Sequence, residues 1–469
     1  MKMSPFREHE PPAAHRGKSE AHMPDPYEME FQRLKTRIHR ELIESLDLSR
    51  IGELEESRLR NHIRHLAEGL LRGRPAALNS VDEERLVDEL MAESFGLGPL
   101  EPYMQDPDVT DILVNGPHEV FVERFGRLHE TNTVFADEEH LMQIISRVVG
   151  RVGRRIDELS PMVDARLPDG SRVNAIIPPL ALNGPVLSIR RFGNRPLSLD
   201  DLLGYGSICP EMVHLLQAAI EGRINIMISG GTGSGKTTLL NCLSRFIPIG
   251  ERLVTIEDSA ELQLQRKHVV SLETRPANAE GSGEIAQRDL VRNALRMRPD
   301  RILLGEVRGG EALDMLQAMN TGHEGSFTTI HANDTSDALS RLEVMVSMAG
   351  FDLPVMVVRR YIGSAITLVV HVARLKGGVR RVTRISEVTG IEDGEYKQQE
   401  IFGFRQSGVD GAGMATGSFY ATGSEPNITR RLTELGIEMP TGLFQRRTLG
   451  EYGKSASRAL DDDVVRRPR

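Results

Sequence analysis

The chain has 469 residues, 39% hydrophobic and 27% charged, enough for two or three domains at roughly 150 residues each. A net charge of -9 and an aromatic content of only 4% argue against a dominant nucleic-acid surface, which needs excess Lys and Arg with stacking side chains. No apolar run approaches the ~18 residues that span a bilayer, and the first thirty residues lack the apolar stretch of a signal peptide, so the expected location is the cytoplasm.

Residues 1–27 carry five prolines and few large apolar groups, the composition of a disordered segment. From 28 to 80 a helical segment is expected. Phe31, Leu34, Ile38, Leu42 and Leu46 recur at three to four residue spacing, and a second helix follows over about 53–72. Ser80, ahead of acidic residues, signals a further helix start, ended by Gly96, Gly98 and Pro99. Over 81–192, short β-branched runs such as "VTDILVNG" and "HEVFVERFGRLHE" alternate with the helical "DEEHLMQIISRVVGRVG", which predicts a mixed α/β domain. Residues 193–207, rich in Pro, Gly and polar groups, read as a linker. From 208 to 445, apolar strands at 224–229, 252–256, 301–305 and 326–330 alternate with helical stretches, the signature of a parallel sheet covered by helices. Residues 446–469 show no core pattern and read as a disordered tail. Cys209 and Cys242 form no CxxC pair, in keeping with a reducing compartment.

The chemistry concentrates in the last domain. Gly230, Gly231, Thr232, Gly233, Ser234, Gly235, Lys236 and Thr237 fit G-x-x-x-x-G-K-[ST], between an apolar strand and the helical run that starts with Thr237 and Thr238. Glycines there let backbone N–H groups face phosphates, and the helix N-terminus adds partial positive charge. Lys236 is placed to reach the β and γ phosphates and Thr237 to hold Mg2+, so ATP and Mg2+ are the expected ligands. The dinucleotide fingerprint fails, because Lys236 stands where its last glycine belongs. Glu257, with Asp258, and Glu306 close two strands, where a parallel sheet gathers ligands; either glutamate can orient water or metal. Gly305 replaces the usual Asp before Glu306. His323 and His331 flank a short strand without a zinc spacing, and beside a γ-phosphate an imidazole donor would report whether that phosphate is present. Arg166, Arg172, Arg190 and Arg191 lie in the preceding domain. Arg292, Arg296, Arg298 and Arg301 form a second basic cluster, read as a subunit contact.

Taken together, "FGLGPLEP", "VTDILVNG", "SPMVDARLPDGSRVNAIIPPLAL", "SIRRF", the glycine-rich turn, "TIEDSAELQL", "RMRPDRILLGEVRG" and "GHEGSFTTIHAND" make residues 80–445 resemble the CpaF/TadA-type secretion ATPases, relatives of the type II and type IV secretion and pilus motors. The absence of a CxxC zinc module favours that branch. The resemblance implies an N-terminal α/β domain joined to a RecA-like P-loop ATPase domain with a mainly parallel sheet, assembled as a hexamer. It assigns Glu257 as the water-polarising base, Glu306 as the acid of the atypical Walker B strand and a Mg2+ ligand, and His331 as a γ-phosphate contact. It also implies that N-domain arginines, drawn from Arg166, Arg172, Arg190 and Arg191, complete the site. The partners implied are inner-membrane platform proteins of a Flp pilus or protein secretion system. A nucleic-acid translocase and a nucleotide-gated scaffold with little turnover are the alternatives.

Overall fold

The structure is a computed structural model that describes residues 56–72, 79–124, 126–191, 197–275, 277 and 282–452, together with Phe31, Leu34, Lys35, Arg37, Ile38, Glu41 and Leu42. The expected disordered stretch 1–27 and Leu46 lie outside the described residues. Two compact units emerge, Met1–Arg124 with Leu128–Arg191, and Phe125–Arg127 with Phe192–Arg469.

In the first unit the spacing of apolar residues near the N-terminus does its work. Phe31, Ile38 and Leu42 are buried with Ile63 and Ala67 from the helix Glu56–Arg72 and with Leu86, Val87 and Leu90 from the helix Ser80–Phe95. The latter helix starts one residue earlier than Ser80 signals: Asn79 is the cap, its Oδ1 accepting from Val81 N at 3.0 Å and Asp82 N at 2.9 Å. Lys35, buried at this seam, is held by Glu89 at 3.0 Å and Glu93 at 3.3 Å.

A six-stranded sheet follows, built of β1 (Val109–Asn115), β2 (Val120–Arg124), β3 (Arg127–Glu130), β4 (Met162–Arg166), β5 (Arg172–Ile176) and β6 (Val186–Arg190), in the order β3-β2-β1-β6-β5-β4. The pairs β2-β1, β1-β6, β6-β5 and β5-β4 are antiparallel. Alternate residues of these strands, among them Ile112, Val114, Val120, Val122, Leu187 and Ile189, pack against Leu141, Ile144, Ile145, Val148 and Val149 of the helix Glu138–Arg151.

Part of the expected linker is an ordered element of the second unit. Leu199–Gly204 is a helix with a reciprocal cap, Ser198 Oγ accepting from Asp201 N at 3.1 Å and Asp201 Oδ2 from Ser198 N at 2.7 Å, and Leu202 enters the core. Ten strands form its sheet: β7 (Ile226–Gly230), β8 (Leu253–Glu257), β9 (Val269–Glu273), β10 (Arg301–Val307), β11 (Phe327–His331), β12 (Leu368–Arg374), β13 (Arg380–Glu392), β14 (Glu395–Val409), β15 (Ala415–Ala421) and β16 (Arg447–Tyr452). Their order is β16-β15-β14-β13-β12-β7-β11-β10-β8-β9.

The six strands from β12 to β9 are parallel, as the alternation of strands and helices predicts. The four from β13 to β16 add on antiparallel, so the expected mainly parallel sheet carries an antiparallel margin. Strand β16 lies in the stretch expected as a tail. Both faces of the parallel part are covered, so its strands are nearly continuously apolar. Ile226, Ile228 and Leu303 face helices Pro210–Glu221 and Lys236–Ser244, while Met227, Ile302 and Leu304 face helices Glu311–Asn320 and Thr335–Ser347.

Arg301 corrects the surface reading of the second basic cluster. It is fully buried at the start of β10, where its guanidinium pairs with Glu251, one bond at 3.1 Å and a shorter one from Nε, and donates to the carbonyls of Ile220 at 2.7 Å and Gly325 at 3.3 Å. Arg292 pairs with Asp314 at 2.9 Å, and Arg296 and Arg298 are exposed.

His371, buried on β12, has its Nδ1 at 2.9 Å from Ser229 Oγ on β7. Burial pushes its imidazole below the usual range; Arg384 and Lys236 push the same way, and Asp334 and Asp337 oppose them. The folded chain therefore refuses a proton that the unfolded chain accepts near pH 6.5. Its stability is full above about pH 6.5 and falls as pH drops through that value, by up to about 1.4 kcal/mol per pH unit. His371→Asn is expected to flatten the acid limb of the denaturant midpoint plotted against pH; identical slopes in variant and wild type would refute the assignment.

Candidate nucleotide site

The carboxyl ends of β7, β11, β10 and β8 bring the glycine turn, Glu257, Glu306 and His331 to one edge of the sheet. Strand β7 ends at Gly230, paired with His331 at the end of β11. The turn after β7 depends on its glycines. A Cβ on Gly230 would lie 2.2 Å from Val372 O and 2.6 Å from Ser234 Oγ, and Gly233 and Gly235 have φ of 67° and 100°. Gly231 and Thr232 are exposed, Ser234 is buried with no hydrogen-bond partner for its Oγ among the described residues, and Gly235 leads into the helix Lys236–Ser244. The first turn of that helix, with Thr237 and Thr238, leaves N–H groups free to meet an anion.

Lys236 folds back into the turn, its Nζ 3.2 Å from Gly231 O. The same Nζ lies 3.3 Å from His331 Nε2, and that nitrogen lies 2.5 Å from Glu306 Oε1. Arg308 grips the other carboxylate oxygen of Glu306 through Nε at 2.8 Å and Nη2 at 2.5 Å, and its Nη1 reaches Asp258 Oδ2 at 3.3 Å. The result is a row of Lys236, His331, Glu306, Arg308 and Asp258 across the strand ends. Burial pushes the His331 imidazole below its usual range, against the pull of Glu306 and with the help of Lys236, Arg308 and Arg341. A neutral imidazole has one donor nitrogen and one acceptor, so His331 can hydrogen-bond a phosphate oxygen and a protein group at once.

Glu257 is buried at the end of β8. Its Oε1 accepts from Glu261 N at 2.9 Å and Leu262 N at 3.1 Å, which shapes the turn after β8. The neighbouring strand explains Gly305: a Cβ there would lie 2.7 Å from Glu257 Cγ. An Asp at 305 and the Glu257 side chain cannot share that space, so the glycine is the condition for the glutamate's position.

The residues fit a magnesium ion. Glu306 Oε1 is buried against His331 Nε2, and Thr237 stands in the first helical turn. A carboxylate and a hydroxyl are the oxygen donors that magnesium takes beside substrate phosphates, where it neutralises charge.

His323 is not brought to this end. It precedes the amino end of β11, where its carbonyl accepts from Ser326 Oγ at 2.7 Å. The five residues of β11, about 16 Å of strand, separate it from the turn.

In the first unit, register sorts the arginines. Arg166 pairs with Arg172 and Arg172 with Arg190, and the row continues to Asp111 and Glu123. Three adjacent cations on one face repel one another and favour an anion beside them. Arg191 faces the other way and donates to the carbonyls of Asp106 and of Val109, the latter at 2.8 Å. Burial lowers its pKa against the charge of Asp106. It serves its own unit's backbone.

Sequence reasoning missed Arg308, although its place two residues after Glu306 on a strand end, hence on the same side, was a usable signal. Cys209 and Cys242 are buried free thiols, pushed up by burial to about 12 and about 11.

Residues 93–410 match the family described as Type II/IV secretion system protein. A putative conjugal transfer protein of Mycobacterium tuberculosis is 39% identical over 309 residues, which cover 65% of this chain and 87% of that one. Type IV secretion system protein VirB11 of Brucella suis is 33% identical over 319 residues, covering 62% and 88%. The solved structure of the VirB11 ATPase from Brucella suis in complex with sulphate aligns at 32% identity with a TM-score of 0.34, over 63% of this chain and 97% of that one. With more than half of its length matched, the chain belongs to the type II/IV secretion system protein family, as an ATPase of that family.

Proposed function

We propose that the protein is the ATP-hydrolysing motor of a Flp/Tad-type pilus or protein secretion machine, acting as a hexameric ring at the cytoplasmic side of an inner-membrane platform. The observation that supports this reading is the row Lys236, His331, Glu306, Arg308 at the mouth of the glycine turn, an ammonium, an imidazole, a carboxylate and a guanidinium in reach of one another. The motif blocks from 80 to 445 support the Flp/Tad assignment, and the names of the relatives support a secretion machine in general.

In this reading the turn Gly230–Thr238 holds the triphosphate, and Glu257 takes the proton of the attacking water. Thr237 and Glu306 hold Mg2+. His331 contacts the γ-phosphate. Loss of the γ-phosphate then removes contacts that favour one conformation over another, and that differential affinity is what a motor converts into movement. Among the described residues no helix is long and apolar enough to cross a membrane, so in this reading membrane contact runs through partners.

Steady-state phosphate release by the purified protein tests the proposal. Release with ATP is expected, stopped by chelating Mg2+, restored on its return, and indifferent to single-stranded DNA or RNA. Binding without release would make the protein a gated scaffold, and strong stimulation by single strands would make it a translocase. Affinity capture from solubilised membranes with a pilus or secretion platform protein would identify the machine.

A further inference from the structure

The glycine turn is gripped from outside by the first of the C-terminal antiparallel strands. Strand β12 runs beside β7 with Val372 opposite Gly230. It ends at Arg374, turns through 375–379, where Leu375 N donates to Val379 O at 2.7 Å, and restarts as β13 at Arg380, the cross-strand partner of Arg374. From there Arg380 Nε donates to the carbonyl of Gly233 at 2.9 Å, and its Cδ lies 3.5 Å from the place of a Cβ on Gly235. Arg374 covers the same apex, with Nη1 3.4 Å from the place of a Cβ on Gly233.

A trans peptide points its C=O and the following N–H in opposite directions. Holding the Gly233 carbonyl outward therefore turns the Ser234 N–H into the turn, where it meets Gly231 O at 3.3 Å in this structure. The post that does the holding is itself fixed. Arg381, on the opposite side of β13, is buried, donates to Tyr205 O at 2.7 Å and lies over the Phe404 ring at 5.9 Å.

We infer that Arg380 is a positioning residue for the phosphate-binding turn: it sets nucleotide affinity through the Gly233 carbonyl, without touching the nucleotide, and ties that turn to the C-terminal strands. The inference rests on the reading of residues 230–238 as the nucleotide site. Nothing in the sequence motifs marks it, because the two partners lie 147 positions apart.

The test is calorimetric titration of the full chain with ATP and, separately, ADP, in the presence of Mg2+, for wild type, Arg380→Ala and Arg380→Met. Methionine keeps the apolar stem and removes the donor, and stands in if the alanine variant fails to fold. A charge-assisted hydrogen bond to the turn predicts that both nucleotides weaken by the same factor, about tenfold. Amide exchange over 231–235 is expected to quicken in the nucleotide-free variants while the thermal midpoint stays at the wild-type value. Wild-type affinity for both nucleotides in the variants overturns the inference. A loss confined to ATP overturns it too, because it would make Arg380 a direct γ-phosphate contact. Wild-type protein that binds neither nucleotide removes the nucleotide reading itself, and this inference with it.

Discussion

Glu257→Gln is expected to bind ATP about as tightly as wild type and to release phosphate roughly a hundredfold to ten-thousandfold more slowly, the range for removing a general base. The glutamine keeps an acceptor oxygen for the Glu261 and Leu262 amides, so it separates proton transfer from support of the turn that Glu257 also provides. Glu257→Ala removes both, and is expected to be no faster. Lys236→Ala differs in kind, since it takes the ammonium out of the turn and should lose binding as well as turnover. Phosphate release and nucleotide titration on the three variants decide the matter. If Glu257→Gln turns over at close to the wild-type rate, Glu257 is an anchor for the turn and another group takes the proton.

Arg301→Ala is expected to cost about 3–5 kcal/mol of stability, the range for breaking a buried charge pair from one side. The side chain is inaccessible to water, and its removal leaves the Glu251 carboxylate, itself largely buried, without its principal partner and the carbonyls of Ile220 and Gly325 without their donor. Domain stabilities are roughly 5–15 kcal/mol, so the variant should unfold at much lower denaturant or accumulate poorly. Replacing Arg301 and Glu251 together with apolar residues should recover much of the loss, because no lone charge remains. A midpoint for Arg301→Ala within about 1 kcal/mol of wild type would show that Arg223, 3.1 Å from Glu251, compensates by itself.

These two residues also mark what a sequence makes legible. The glycine turn and the four strands around it are local signals: a motif, an apolar run, a following helix. Their observed bounds differ from the expected ones by at most two residues. Arg301 looked like one more exposed arginine, since nothing nearby in sequence reveals that Glu251 waits for it across the fold. Gly305 was recognised as unusual, yet its reason is a side chain on another strand. The strands β13 and β14 do carry a local sign, the Asp393-Gly394 pair, whose positive φ values of 53° and 83° suit a tight hairpin. The order of the arginines needed strand register, which spacing alone does not fix.

Strand β12 is the seam of the larger sheet, parallel to β7 on one side and antiparallel to β13 on the other. Beyond β13, whose first residue Arg380 still reaches the glycine turn, the strands β14 to β16 are added in succession toward the outer edge of the sheet. Phe402, Phe404 and Phe419 of β14 and β15 share a core with Ile226 and Ile228 of β7, so a disturbance at that outer edge reaches the strand that carries the glycine turn.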